Sequence, residues 1–271
     1  MIGDEKIMVN EQKREEKQKL LLERLQEMSY FDDEFMTKCL EDYPQGVELM
    51  LRIIMDDEKV VVKEAQVQAV IKNLQGRSIR MDVKTNDVLG KQYNVELQKA
   101  DSGAKPKRAR YNSSLMDANA ILPGDDIELL PETYVIFITE NDVLEGNLPV
   151  YHIDRTIKET GELFDDKAHI IYVNGEIKDD TLLGQLMHDL SCSDPDDMNY
   201  KELADRARYF KRDKEGQKIM SKIMEEIINE EKIEAAKRML DDGELSVDKI
   251  AKYLALPIEI VKKLADSLQL A

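Results

Sequence analysis

The amino-acid sequence predicts a mixed α/β domain of order αβββαβ followed by a helical C-terminal region. Three observations lead there. Residues 65–74, 78–85 and 92–99 alternate in polarity and are separated by the turn-compatible Gln-Gly-Arg and Asn-Asp-Val-Leu-Gly-Lys, the pattern of three antiparallel strands in a meander. Residues 133–139 (Thr-Tyr-Val-Ile-Phe-Ile-Thr) form a short continuous apolar run, the mark of a strand buried on both faces. Beyond about Asp179 the apolar residues recur at helical spacing.

The elements follow in order. Residues 1–30 read as a polar helical arm whose apolar cluster is Leu20, Leu21, Leu22 and Leu25. A helix is expected over 46–55, because Val47, Met50, Leu51 and Ile54 fall at i, i+3, i+4 and i+7 after the start signal Pro44. After the three strands, 108–122 returns to helical character and Pro123-Gly124 ends it. Weaker strands near 148–154 and 169–174 complete the sheet. In the tail, Ile219, Ile223, Met224, Ile227, Ile228 and Ala235 predict one long helix over 214–240, stopped at Asp241-Asp242-Gly243. Ser246 then caps a helix to Leu254, and Pro257 opens a last one with Ile260, Val261 and Leu264 on its inner face. These two short helices resemble a helix-turn-helix. Residues 211–271, however, hold 12 basic and 13 acidic residues, which fits packing or homo-oligomerisation better than base reading. The expected organisation is an arm (1–30), a core (31–192) and a helical C-terminal region (193–271), jointed at Ser193-Asp-Pro-Asp-Asp197.

Composition narrows the function. The 271 residues carry 39 Lys+Arg against 56 Asp+Glu, a net charge of −17. No run approaches the roughly 20 apolar residues of a membrane span, and the first positions lack a signal-peptide core, so a soluble cytoplasmic protein is expected. Cys39 and Cys192 stand far apart, and the histidines are His152, His169 and His188, which argues against a disulfide framework or a Cys/His zinc site. No Gly-rich phosphate loop points to an NTPase. Acidity at this level repels nucleic acid, so a nucleic-acid role needs a local basic patch. Residues 99–110 provide one, with Lys99, Lys105, Lys107, Arg108 and Arg110 against Asp101 alone.

The hairpin of the second and third strands carries the chemistry. A turn centred near Leu89 sets Asp82 opposite Glu96, Met81 opposite Leu97, Val83 opposite Val95 and Lys84 opposite Asn94. Opposed residues share a face with Cβ atoms roughly 5 Å apart, so Asp82, Glu96 and Gln98 converge. Two adjacent carboxylates repel unless they share a proton or a cation. Mg²⁺ takes one or two protein carboxylates and leaves positions for water and phosphate oxygens, which suits phosphodiester chemistry. Gln98 could orient the attacking water. The alternative is a pair of ordinary charges on the solvated face of a sheet.

Asp82, thirteen intervening residues, then Glu96-Leu97-Gln98 after the apolar Val95 resembles the Asp…Glu-x-Gln signature of the PD-(D/E)XK nuclease family transposases, which are similar to the Rpn recombination-promoting nucleases. The helix before the sheet, Arg108-x-Arg110-Tyr111, the Thr-Tyr-Val-Ile-Phe-Ile strand and the C-terminal Leu-x-x-Gly-Glu-x-Ser…Ile-Ala-Lys-Tyr-Leu segment resemble that family in order and spacing. The resemblance covers most of 28–268. It implies a restriction-endonuclease-like core, a Mg²⁺ or Mn²⁺ ion held by Asp82, Glu96 and the backbone carbonyl of Leu97, and hydrolysis of DNA associated with transposition or recombination. Three positions depart from the pattern. Met81 replaces the superfamily's Pro, Gln98 its lysine, and the Phe-Lys pair appears only as Phe35-Met-Thr-Lys38. Lys84, expected on the same face, either compensates for the lysine or is a solvated strand residue. Lys105, Lys107, Arg108 and Arg110 would grip DNA phosphates or else balance the acidic site, and Tyr111 would stack or pack. The other reading is a catalytically silent nuclease fold acting through its helical tail.

Overall fold

The computed structural model describes the backbone of residues 2–73 and 76–269 and side chains from residue 15 onward, less 74, 75 and 269. Leu74 of the first expected strand, Gln75 of the following turn, Met1 and the last two residues lie outside the described set. The chain divides into two compact units, one from Gln26 to Asp213 and the other from the N-terminal 25 residues with residues 214 onward.

The larger unit is built on a six-stranded mixed sheet of order β1-β2-β3-β4-β6-β5. β1 (Val62–Ile71), β2 (Ile79–Asp87) and β3 (Gln92–Gln98) form the expected antiparallel meander. β4 (Thr133–Thr139) and β6 (Ala168–Asn174) then run parallel to β3, and β5 (Val150–Ile153) closes the edge antiparallel to β6. The parallel β3–β4 step requires a crossover, supplied by a 3-10 turn (Asp101–Ala104) and α4 (Pro106–Ala118). All seven residues of β4 are buried, as its uninterrupted apolar run requires. One face of β4 and β6 packs Val135, Phe137 and Tyr172 against Ala109, Leu115 and Met116 of α4. Phe137 and Tyr172 stack at 5.4 Å, and the Tyr172 hydroxyl donates to the Ala104 carbonyl at 2.7 Å.

α2 (Asp33–Leu40), α3 (Pro44–Met55), α5 (Leu182–Ser191) and α6 (Lys201–Arg212) pack among themselves, with α2 and α3 reaching β1. The expected α3 starts at Pro44, as that residue's preset φ favours, and buries Val47, Met50, Leu51 and Ile54. α2 lies in a stretch too short for its periodicity to be read. α4 ends at Ala118, four residues before the expected stop, because Asn119 leaves helical geometry and bonds back to the Leu115 carbonyl. Residues 193–197, expected as a joint, lie inside this unit. There Asp194 pairs with Arg212, and Asp196 with Arg208 and Arg212. Lys211, fully buried, donates to the carbonyls of Gln26, Met28 and Ser193 and sits 5.0 Å over the Phe35 ring.

In the smaller unit, α7 (Lys214–Asp242) ends at Gly243, whose φ of +69° is the left-handed stop that glycine favours. α8 (Val247–Leu254) and α9 (Ile258–Gln269) close a small core of Ala236, Ile250, Ala251 and Val261, lined by Met239, Leu240, Leu254 and Leu264. Ile260, expected on the inner face of the last helix, is exposed. Starting the helix at Ile258 turns Ile258, Val261 and Leu264 inward instead, an i, i+3, i+6 stripe that leaves Ile260 outside. An ion pair at 3.0 Å joins Lys17 of α1 (Ile2–Glu27) to Glu225 of α7. Among the described residues no helix is long and apolar enough to cross a membrane.

Candidate active site

The β2–β3 register is the one the sequence predicts, with Val83 opposite Val95 and Lys84 opposite Asn94. The ladder stops there. Beyond Val83, β2 leaves β3, and in place of a strand partner the Leu97 amide donates to the Asp82 carboxylate at 2.9 Å. On its other side the same stretch of β2 faces Gln68, which is skipped in the β1–β2 ladder and held at φ +53°. A non-glycine residue in that region costs of order 1–3 kcal/mol. The β1–β2 register is the same on both sides of Gln68, so the kink there is local, and the Asp82 carboxylate turns in towards β3.

Glu96 is placed by alternation. Gln92 donates to the Glu132 carbonyl and Gln98 accepts from the Glu140 amide, so even-numbered peptides of β3 face β4. Odd-numbered ones, Leu97 among them, face the gap that β2 leaves, and a strand residue turns its C=O to the same side as its N–H. The Glu96 side chain points towards α4. There Arg108 Nη2 donates to Oε2 at 2.8 Å and Asn112 Nδ2 to Oε1 at 3.3 Å, from residues one helical turn apart. Gln98 bridges the cluster, its Nε2 donating to Asp82 Oδ2 at 3.2 Å and its Oε1 accepting from Arg108 Nη1 at 3.3 Å. Arg108 also donates to the Gly103 carbonyl at 2.9 Å and lies 5.9 Å over the Phe137 ring. Gly103 matters by what it lacks, since a Cβ there would collide with Gln98 Oε1.

The site is buried, which the alternative of a solvated strand face does not allow. Asp82 is 6% exposed and Glu96 0%. Burial pushes both carboxyls above the usual carboxylate range. The charge of Asp33 adds to the rise at Asp82, that of Asp82 adds to the rise at Glu96, and Arg108 opposes both. Asn94, beside Glu96 on the same face, is buried, its side-chain amide acting on the Glu96 carboxyl against the effect of burial, and Asn112 Oδ1 is left without a hydrogen-bond partner.

Asp82, Glu96, Gln98 and Arg108 thus come together. Lys105, Lys107 and Arg110 do not join them and are exposed along the start of α4. Among the described residues no hydrogen bond or ion pair links Lys84 to either carboxylate. It lines a small cavity with Glu64, Gln66, Thr85, Asn86 and Gln92. Sequence reasoning missed Asp33 at the start of α2, Asn112 and Gly103. The i, i+4 relation of Asn112 to Arg108 was the one signal available for any of them. Among the described residues no group of three or more His, Cys, Asp or Glu side chains is placed to hold a metal ion. The donor set at this site is instead two carboxylates beside a strand peptide. Those are hard oxygen donors, and the charge repulsion that raises both carboxyls is what a divalent cation would relieve, so the residues fit Mg²⁺ or Mn²⁺.

No curated protein and no solved structure matches the chain. The model of the PD-(D/E)XK nuclease family transposase matches residues 49–180, from α3 past β6 and including the whole Asp82–Glu96–Gln98–Arg108 cluster.

Proposed function

We propose that the protein is a metal-dependent DNA endonuclease that hydrolyses phosphodiester bonds in transposition or recombination. The observation that carries this reading is the buried, mutually repelling pair Asp82 and Glu96 beside the Leu97 peptide. Asp82, Glu96 and the Leu97 carbonyl would hold Mg²⁺ or Mn²⁺. Bound there, such an ion supplies Lewis-acid activation for in-line phosphodiester hydrolysis.

The chain's own groups do the rest. Gln98 ties Asp82 to Arg108, so its amide fixes the spacing between carboxylate and guanidinium and presents polar atoms to a water at the site. Arg108, half exposed, carries the positive charge that the superfamily lysine would supply and can meet a phosphoryl oxygen while still bonded to Glu96. Lys105, Lys107 and Arg110 would hold the DNA backbone without reading sequence.

A second reading, a silent nuclease fold, draws on Gln98 in the lysine position. Plasmid nicking in Mg²⁺ or Mn²⁺ by the wild type, Asp82→Ala and Glu96→Ala separates the two. Nicking by the wild type alone is expected. Equal nicking by all three would betray contamination and favour the silent fold.

A further inference from the structure

Two basic stretches, 72–81 and 102–116, contain no acidic residue in a protein whose net charge is −17. The first holds Lys72, Arg77 and Arg80, and the second Lys105, Lys107, Arg108 and Arg110. The first flanks the turn between β1 and β2, and the second covers most of α4. They are far apart in sequence, yet one side chain joins them. The Tyr111 hydroxyl donates to the Arg77 carbonyl and accepts from Asn73 Nδ2 at 3.2 Å. Lys107, one helical turn before Tyr111, lies on the same side of α4.

We propose that the β1–β2 hairpin tip and the start of α4 form one phosphate-binding surface for duplex DNA, in which Lys72, Arg77 and Arg80 act together with Lys105, Lys107 and Arg110. This rests on the nuclease reading. All six are exposed, and among the described residues none of them makes an ion pair. Arg80 is hydrogen-bonded to the neutral Gln68, which leaves its charge uncompensated. Surface cations in an acidic protein can find carboxylate partners, as Lys91, Arg155, Arg208 and Arg212 do here. Arg108, by contrast, is committed to Glu96, so the hairpin enlarges the free positive surface beyond the α4 run. The reach is useful. Five residue steps, most of them within β2, separate Arg77 from Asp82, at most about 17 Å at ~3.3 Å per step, the span of about five phosphates along one DNA strand. Tyr111 sets that span by fixing the hairpin tip on α4.

The test is the salt dependence of binding of the full chain to a fluorescein-labelled DNA duplex in EDTA, read by anisotropy between ~50 and ~200 mM salt. Each phosphate contact contributes about 0.9 to the slope of log K against log salt. Lys72→Gln/Arg77→Gln should flatten the slope by about 1.8, so that the wild type loses about 12-fold more affinity than the variant over that range. Tyr111→Phe removes no charge, and its slope should move the same way because the hairpin is released. Circular dichroism melts of each variant establish that it is folded. A wild type that binds with a slope unchanged in the double variant overturns the proposal and leaves the nuclease reading intact, since nicking in Mn²⁺ is scored separately. An unchanged slope in Tyr111→Phe alone overturns the joining role of Tyr111. Absence of duplex binding by the wild type overturns the surface and the DNA substrate together.

Discussion

Replacing Glu96 with glutamine should invert the usual effect of an active-site substitution by making the metal-free protein less sensitive to pH. Glu96 is fully buried, and its carboxyl is raised first by burial and then by Asp82. The folded chain therefore keeps a proton on Glu96 at pH values where the unfolded chain has released it. A folded pKa above the unfolded one gives stability that is complete below the ordinary carboxylate range and is lost as pH rises towards the folded value. One extra bound proton corresponds to about 1.4 kcal/mol per pH unit, so about 3 kcal/mol should disappear between about pH 5.5 and 7.5. Glutamine has nearly the same shape, can still accept from Arg108 and does not titrate. Glu96→Gln should lose under about 1 kcal/mol over that window, the remainder coming from Asp82 at its acid end. Manganese acts in the opposite sense. At 100 times its dissociation constant it should restore about 2.7 kcal/mol to the wild type at about pH 7.5, less at 5.5 where protons compete, and nothing to the variant. Urea denaturation at three pH values, with and without Mn²⁺, gives each number from the midpoint and m-value. Parallel pH curves for wild type and variant would refute the argument, because background repulsion among the other charges is common to both.

Three further outcomes follow from the same coordinates. Arg108→Ala removes a guanidinium that holds Glu96, Gln98 and the Gly103 carbonyl, and should cost about 1–2 kcal/mol in a denaturant titration, a figure reduced because the side chain is 39% exposed. Nicking by this variant should fall at least about 100-fold. Gly103→Ala should change the melting temperature little, because only the far end of Gln98 must move, yet reduce nicking by displacing the amide from Asp82 and Arg108. A nicking rate equal to wild type would show that the Gln98 bridge is dispensable. In the tail, Val261→Ala should destabilise the smaller unit by about 1–2 kcal/mol while Ile260→Ala stays within about 0.5, a contrast measurable by thermal denaturation.

The sheet was legible because its signals are local. Alternation located β1 to β3, an unbroken apolar run located β4, and turn position fixed the β2–β3 register to the residue. From that register alone Asp82 and Glu96 could be placed on one face. What the sequence did not carry was the departure from the ladder. Asp82 reaches the Leu97 amide only because β2 leaves β3 after Val83 and β1 kinks at Gln68, and no residue type announces either event. Arg108 read as one of four equivalent cations, because composition is blind to which face of α4 each occupies. The i, i+4 placement that sends Arg108 and Asn112 to Glu96 leaves Lys107 and Arg110 outside. Ile260 failed for a related reason, since it lies about 100° round the helix from its neighbour Val261 and the sequence shows apolar residues at both positions.

Several local costs in the larger unit meet at this site. Gln68 is strained opposite Asp82, Asn112 keeps one amide atom unpartnered beside Glu96, and two carboxylates are buried within reach of a third acid. Each unsatisfied buried polar group costs about 1–3 kcal/mol. A sheet selected only for stability would fill this face with apolar side chains, as the next strand, β4, does with Val135 and Phe137. Concentrated departures from locally favourable choices are the physical signature of a site retained for its chemistry, and here they converge on the two oxygen-rich positions that a hard cation would neutralise. The fully buried β4, with its Phe137 stacked on Tyr172 of β6, is the packed support beside which β3 bears that cost.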